Sequence, residues 1–511
     1  MVKHTKRDWR MAALVALIIL VLGASTLTPG TTTWGDDHAA YINEGIAIAE
    51  GTLQEQIERN YAYHPSEMPD EAGDGKLVYV WGYPLLLSLV YRVVGFDRVN
   101  YTSVIWYKLI SLLSLALTGG VLTLFFRRRF SLYVSAGAAL VFCMSGNLFE
   151  ALNTLYSDLQ FLFFSMLTLW LVEAFVSRLG EEGGGGKGTV GIGMIYALSL
   201  WMTYETRLSG LTVCIVALLG HAVAVLTKQT RINRKNWWLH LMPYLLFGII
   251  VLMTEHLWLA PATPNISDLT KTAEENILQY YQRMIFDYFD GLARLPVKGA
   301  GYVFIAACLI GIVMKGFNRT NLHLTLLLIG TLVVALNLPY TNGQRYLFNV
   351  LPLMVMYCLY GFQALWGAVC KLWKGAHGTV GKVIVIALAV EILFFSFANQ
   401  VYRAGYNLSH MGGIESFSYD VYSDEAKEMY RFIQDKVPED AVIAFGKPRA
   451  LYLNTGRTSF KAGVNGHEIG EADYYLRHRT MGFEDVEVET DGMKIAAEND
   501  MFTLYRVEEE K

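Results

Sequence analysis

The sequence predicts a polytopic α-helical membrane protein that ends in a small α/β domain, and three observations predict it. Of 511 residues, 53% are hydrophobic and 17% are charged, where soluble domains carry about 25% charged residues. Apolar runs of spanning length recur along the chain, and a bilayer core needs about 20 such residues per helix. Basic residues gather in every second connection between those runs, as the positive-inside rule asks of cytoplasmic loops. The net charge of -4 says little about partners; its distribution gives the topology.

Eleven segments read as spans: 10–28, 101–126, 131–149, 156–177, 189–204, 208–227, 237–258, 299–316, 321–338, 346–368 and 382–400. Basic residues precede the first, as in a signal peptide, but its length and the lack of a clear small-residue cleavage site mark it as a retained helix. The basic connections are Lys3/Lys6/Arg7/Arg10, Arg127-Arg128-Arg129, Arg178 with Lys187, Lys228/Arg231/Arg234/Lys235, Lys315 with Arg319, and Lys371/Lys374/Lys382. With these inside, the N-terminus is cytoplasmic and eleven spans leave the C-terminus outside a plasma or inner membrane.

The apolar region 77–95 does not fit as a span. Crossing there would carry Arg127-Arg128-Arg129 outside, and the stretch from Tyr83 is short and contains Arg92. It is expected to lie as a helix in the outer interface, with its Trp and Tyr at headgroup level. Glycines 183 to 186 read as a flexible cytoplasmic linker. Three polar stretches face outward: a first loop 29–100, a second loop 259–298 with a helix near Thr272–Phe289, and a tail 402–511. An amphipathic helix from Asp424 to near Pro438 and strands at 441–445 and 502–507 make the tail a small α/β unit. The five cysteines all fall in or at the ends of apolar segments, so they read as small packing residues.

The acidic pair Asp36-Asp37 lies just beyond the first span, inside Trp34-Gly35-Asp36-Asp37-His38-Ala39-Ala40-Tyr41. Three further polar positions fall at the same outer depth: Asp158 at the start of the fourth span, Glu205 with Arg207 in the tight turn after the fifth, and Arg345 at the start of the tenth. Each alone has a plainer reading. A charge at a helix end is a solvated boundary, and Asp158 in a first turn complements the helix dipole. Their convergence favours a site for an anionic, phosphorylated ligand. Arginine binds phosphate bidentately, and a carboxylate takes the proton of an attacking hydroxyl.

Other chemistries find no support. The chain has no Gly-rich phosphate loop, no His-Glu-x-x-His and no paired-Cys motif. His38 beside the acidic pair is a weak metal signal, so no metal or other cofactor is expected. An ion-coupled transporter is the competing class, but its coupling acids sit at mid-membrane, whereas these acids lie in a loop or at helix ends.

The ordered set of motifs resembles the GT-C superfamily of membrane glycosyltransferases, in the branch of protein O-mannosyltransferases and the bacterial aminoarabinose transferase of lipid A. The motifs are Asp36-Asp37 with Tyr41 and Ala49-Glu50-Gly51, then Trp81-Gly82-Tyr83-Pro84-Leu85-Leu86-Leu87 and Leu155-Tyr156-Ser157-Asp158. Thr206-Arg207-Leu208-Ser209-Gly210 and Gln344-Arg345-Tyr346-Leu347 follow, with the tail segment from Val437 through Leu453. The resemblance implies a GT-C-like module over 1–400 and an inverting transferase working outside the cytoplasm. Its donor would be a polyprenyl-phosphate-linked sugar and its acceptor a lipid, glycan or protein hydroxyl. Asp36 then matches the general base, and Asp37 stands where the family more often has Glu. Asp158 matches the second acid, while Arg207 and Arg345, with Tyr346, match the positions facing the lipid phosphate. His38, Tyr83 and Glu205 are further contributors. A lipid-linked sugar translocase without transferase activity is the alternative.

Overall fold

A computed structural model of the chain describes residues 4–28, 34, 36–63, 79–99, 101–181, 186–230, 232–234, 236–255, 277–293, 299–336, 343–373, 378–410, 421–462, 468–482 and 488–507. The Gly183–Gly185 part of the expected linker and the 259–276 part of the second loop lie outside these residues.

The first helix, α1 (Lys6–Ala24), begins where Thr5 and Asp8 cap each other reciprocally, satisfying N–H groups that the first turn leaves open. The stretch after α1 then forms α2 (Asp37–Glu50), α3 (Leu53–Tyr63) and α4 (Gly82–Val94). The bundle continues with α5 (Val104–Arg127), α6 (Leu132–Cys143), α7 (Gly146–Ala151), α8 (Asp158–Leu179), α9 (Lys187–Thr206), α10 (Gly210–Leu226) and α11 (Trp237–Met253). It closes with α12 (Ile277–Ala293), α13 (Ala300–Gly311, extended by a π-helical turn to Gly316), α14 (Leu322–Leu336), α15 (Leu351–Leu372) and α16 (Thr379–His410).

Among the described residues, α5, α8, α15 and the Thr379–Tyr402 part of α16 are long and apolar enough to cross a membrane alone. That is fewer than the eleven spans expected, because several apolar runs fold as shorter helices of 10 to 17 residues. The run 131–149 illustrates the cause. Its helix stops at Cys143 and restarts at Gly146, and the carbonyl freed at Met144 accepts from the buried Gln400 side chain. A polar group inside the bundle thus replaces the missing helical hydrogen bond.

The ends of the bundle differ in chemistry. At one end Arg127 pairs with Asp8 at 2.8 Å, while Arg128 and Arg129 both face Glu173 and Arg129 also reaches Asn321 at 3.3 Å. Connections that the charge pattern put on one side therefore do meet. Asp158 begins the helix that carries Glu173, so it lies ~22 Å away at the 1.5 Å helical rise, at the opposite end of the bundle.

At that opposite end, α4 corrects one expectation. The helix exists where 77–95 was read, but Trp81 and Tyr83 are fully buried rather than at headgroup level. Trp81 packs with Ile57, and Tyr83 meets the Tyr41 ring edge-on at 5.0 Å. The exposed residues of the helix are Leu89, Arg92, Val93 and Val94. Gly82 allows this approach: a Cβ there would stand 2.8 Å from the backbone of Glu205, so α4 closes directly on the end of α9.

The tail folds as α17 (Asp424–Lys436), β1 (Val442–Ala444), α18 (Pro448–Thr455), β2 (Thr458–Phe460), β3 (Tyr474–His478), β4 (Lys494–Glu498) and β5 (Phe502–Arg506). The sheet order is β2-β1-β3-β5-β4, with β1 parallel to β2 and β3 and the β3–β5 and β5–β4 pairs antiparallel. Both strands read from sequence are present, and α17 starts at the Ser423 cap. One buried apolar cluster joins Trp34, Tyr41 and Tyr83 of the stretch between α1 and α5 to Tyr430, Phe445 and Phe502 of the tail. The five cysteines are buried and unbridged.

Candidate functional site

Two loops must be brought together before the acids can meet, and a buried lysine does this. Lys108 of α5 is fully buried and donates to the Thr28 carbonyl at 2.7 Å and to Asn153 Oδ1 at 3.2 Å. Asn153 Oδ1 also accepts from the Thr28 N–H at 2.9 Å, while its amide donates to the Thr26 carbonyl at 3.1 Å. The stretch leading to Asp36-Asp37 is thereby tied to the stretch leading to Asp158. Charge-assisted hydrogen bonds of this kind are among the stronger ones.

Asp37 and Asp158 each open a helix, where the backbone dipole favours a carboxylate. The tight α9–α10 turn supplies Arg207. Gly210 fits there because a Cβ would fall 1.9 Å from the Thr203 carbonyl oxygen. Arg345 comes from the 3-10 turn Gly343–Leu347 before α15. The four side chains form one network. Arg207 Nη1 donates to Asp158 Oδ1, Arg345 Nε lies 3.2 Å from Asp158 Oδ2, and Arg345 Nη2 lies 3.8 Å from Asp37 Oδ2. Tyr79 donates to Asp37 Oδ1 at 2.7 Å.

Aromatic faces hold the cations in place. Arg345 lies 4.2 Å above the Tyr156 ring and Arg207 lies 4.9 Å above the Tyr346 ring, both favourable cation–π positions. Burial would weaken both guanidinium charges, but the Asp158 carboxylate outweighs it, aided by Asp37 at Arg345, and both arginines are held more strongly protonated than usual. Burial, reinforced by Asp37, pushes the Tyr79 phenol well above its ordinary range, so it stays a donor. The two acids differ in access: the Asp158 side chain is 3% exposed and that of Asp37 is 37% exposed. Beside the arginines a cavity is lined by Ser209, Thr212, Thr331 and Asn349. It offers cationic and hydroxyl donors to an anion, and Arg345 links it to the more accessible carboxylate of Asp37.

The remaining expected residues are placed elsewhere. Asp36 turns from the network: its carboxylate accepts from the backbone N–H of Ala450 at 2.9 Å and of Arg449 at 3.3 Å. Burial raises its carboxyl above the usual range, against the opposing pull of Arg449. His38 is buried with its ring against Tyr422. Glu205 is buried and accepts from Thr254 Oγ1 at 3.3 Å, between α4 and α11. Tyr83 supports the site indirectly: Tyr41 meets it edge-on, stacks on Tyr79 with ring centroids 4.4 Å apart, and its hydroxyl lies 3.1 Å from Ser157 Oγ. Among the described residues no three His, Cys, Asp or Glu side chains assemble as a metal site.

Sequence reading missed the parts played by Lys108, Asn153 and Tyr79. The signal for Lys108 was present, since an ionisable residue inside an apolar span is costly and therefore functional by default.

A family model described as a family of unknown function, DUF6541, matches residues 59–485. No curated protein matches the sequence. The crystal structure of ArnT from Cupriavidus metallidurans bound to undecaprenyl phosphate is similar, with a TM-score of 0.58 and 11% identity over 96% of this chain and 97% of that one. The Archaeoglobus fulgidus oligosaccharyltransferase in complex with Zn and sulfate is similar with a TM-score of 0.52 and 12% identity, over 88% of this chain and 62% of that one. These likenesses show a fold shared with those two proteins, as the resemblance in the sequence motifs implied.

Proposed function

The chain belongs to the DUF6541 family, and we propose that it is an inverting glycosyltransferase taking a sugar from a polyprenyl-phosphate-linked donor. The carrying observation is the network of Asp37, Arg345, Asp158 and Arg207 beside a cavity to which Ser209, Thr212 and Thr331 contribute hydroxyl groups. It sits in the fold of a protein solved with undecaprenyl phosphate. On this reading the bundle end bearing the network and the tail face the extracytoplasmic side of a cell membrane, and the basic end faces the cytoplasm.

The chemistry divides among the residues. Asp37, the accessible carboxylate, accepts the proton of an acceptor hydroxyl. The hydroxyl oxygen forms its bond to the anomeric carbon from the face opposite the phosphate. The bond from that carbon to the phosphate oxygen breaks, and polyprenyl phosphate leaves with the electron pair. Arg207 and Arg345 stabilise the charge that grows on the leaving phosphate, the term that contributes most in sites of this kind. Asp158 touches neither partner of the displacement; it holds both guanidinium groups in register. Tyr79 orients Asp37. A phosphate leaving group requires no proton, so one base suffices, and two cations in place make a divalent metal unnecessary. Asp36 was expected as the base, but both its oxygens face α18, so the role passes to its neighbour.

The test is the purified protein with a synthetic polyprenyl-phosphate sugar and a panel of lipid, glycan and peptide acceptors. Release of polyprenyl phosphate with inverted anomeric configuration in the product is expected. Movement of the lipid-linked sugar across a proteoliposome membrane with no bond cleavage would contradict the proposal and favour a translocase.

A further inference from the structure

Resting on the assignment of Asp37 as base, we infer that Asp36 is a positioning residue that hangs the tail domain on the active site. Its two carboxylate oxygens take the backbone N–H groups of Arg449 and Ala450. Residue 448 is proline, which has no N–H, so these are the first two donors of α18 and Asp36 accepts from both. The side chain therefore works as a cap supplied from a distant part of the chain, 414 residues away in sequence.

The contacts on either side pull in the same direction. Two residues before Asp36, Trp34 is buried in the tail core, its ring centroid 6.0 Å from Phe445, 5.7 Å from His478 and 5.7 Å from Phe502. About two turns further into α2, Asn43 Nδ2 donates to the Arg449 carbonyl at 3.2 Å. Arg98 Nε holds the Leu453 carbonyl at 2.9 Å near the other end of α18. Arg449 itself is buried, and its charge acts on both Asp36 and Tyr79. Tyr79 in turn donates to Asp37. The first turn of α2 is thus gripped by the tail through Asp36 while its next residue, Asp37, faces Arg345. A residue that moved Asp37 by about 1 Å would cost on the order of 100-fold in rate. The tail is accordingly part of the catalytic apparatus rather than an appended binding module.

The experiment uses the full-length protein and two readouts: turnover of the polyprenyl-phosphate sugar, and hydrogen exchange of the α18 amides. In Asp36→Asn the one remaining oxygen still accepts from one N–H while the amide –NH2 faces the other, so α18 should exchange a few-fold faster and turnover should fall by less than about tenfold. In Asp36→Ala both N–H groups lose their acceptor, so α18 should exchange about tenfold faster, as for a lost cap, and kcat should fall by at least about tenfold with the donor KM little changed. Trp34→Ala should give the same pattern without touching a charged group. Asp36→Asn as inactive as Asp37→Asn, with α18 exchange at the wild-type rate, would make Asp36 itself the base and overturn the inference. Unchanged α18 exchange in Asp36→Ala would overturn it equally. Wild-type protein that consumes no donor would instead sink the proposed function, and the exchange comparison would still decide whether Asp36 holds the tail.

Discussion

Arg345 bridges two carboxylates and lies over an aromatic ring, three demands that a guanidinium meets better than an ammonium. Arg345→Lys keeps the charge but loses the second contact and the stacking on Tyr156. The donor KM should then rise about tenfold, and about 100-fold in Arg345→Ala, as charge-assisted contacts of about 1.5–3 kcal/mol would give. Equal KM values for wild type and Arg345→Ala would remove this residue from phosphate recognition. The arginines and Asp158 were legible in the sequence because each interrupts an apolar run at its end. The division of labour within Asp36-Asp37 was not. Successive residues at a helix start point about 100° apart, so one faces the arginines and the other the tail, and that choice depends on contacts hundreds of residues away.

Among the helices, the site depends on segments that carry none of its chemistry. Helix α5 contributes Lys108, which clamps the approaches to α2 and α8. Lys108→Met preserves the length of the side chain and removes the donor, leaving the buried Thr28 carbonyl without its ammonium. A loss on the order of 2 kcal/mol in stability is expected, seen as a lower melting temperature in detergent, with reduced turnover because Asp37 and Asp158 lose their common anchor. An unchanged melting temperature would show that Asn153 alone holds the loops. The helices themselves were readable from apolar length and basic connections. Their breaks were less so: the end of α6 at Cys143 depends on Gln400, supplied by α16. The burial of Trp81 and Tyr83 depends on Gly82 letting α4 reach α9. Such contacts have no local signature.

At the scale of the whole molecule, the tail and the stretch between α1 and α5 share a core, and a titratable group packs against it. Burial lowers the His478 imidazole from its ordinary 6.5 to about 4. Its Nδ1 accepts from the backbone N–H groups of Met481 at 3.1 Å and Thr480 at 3.3 Å, and its ring packs on Trp34. Protonation would turn that acceptor into a donor facing two donors. The unfolded tail binds this proton more readily than the folded one, so stability is complete above about pH 6.5 and falls as pH drops toward 4. Hydrogen exchange of α18 should accelerate over that interval, and His478→Asn, which keeps an acceptor but does not titrate there, should flatten the profile. An unaltered profile in His478→Asn would place the acid sensitivity in another group. The two tail strands read from sequence were correct, yet the five-stranded order and the docking on α2 join residues far apart in the chain, beyond the reach of local pattern.

The central claim is that Asp37 takes the acceptor's proton opposite a lipid phosphate held by Arg207 and Arg345. The initial rate of polyprenyl phosphate release by purified Asp37→Asn, at saturating donor and acceptor, tests it most directly. A fall of about 10²–10⁴-fold, the usual contribution of a general base, is expected with donor binding retained. A rate within a few-fold of wild type would contradict the assignment.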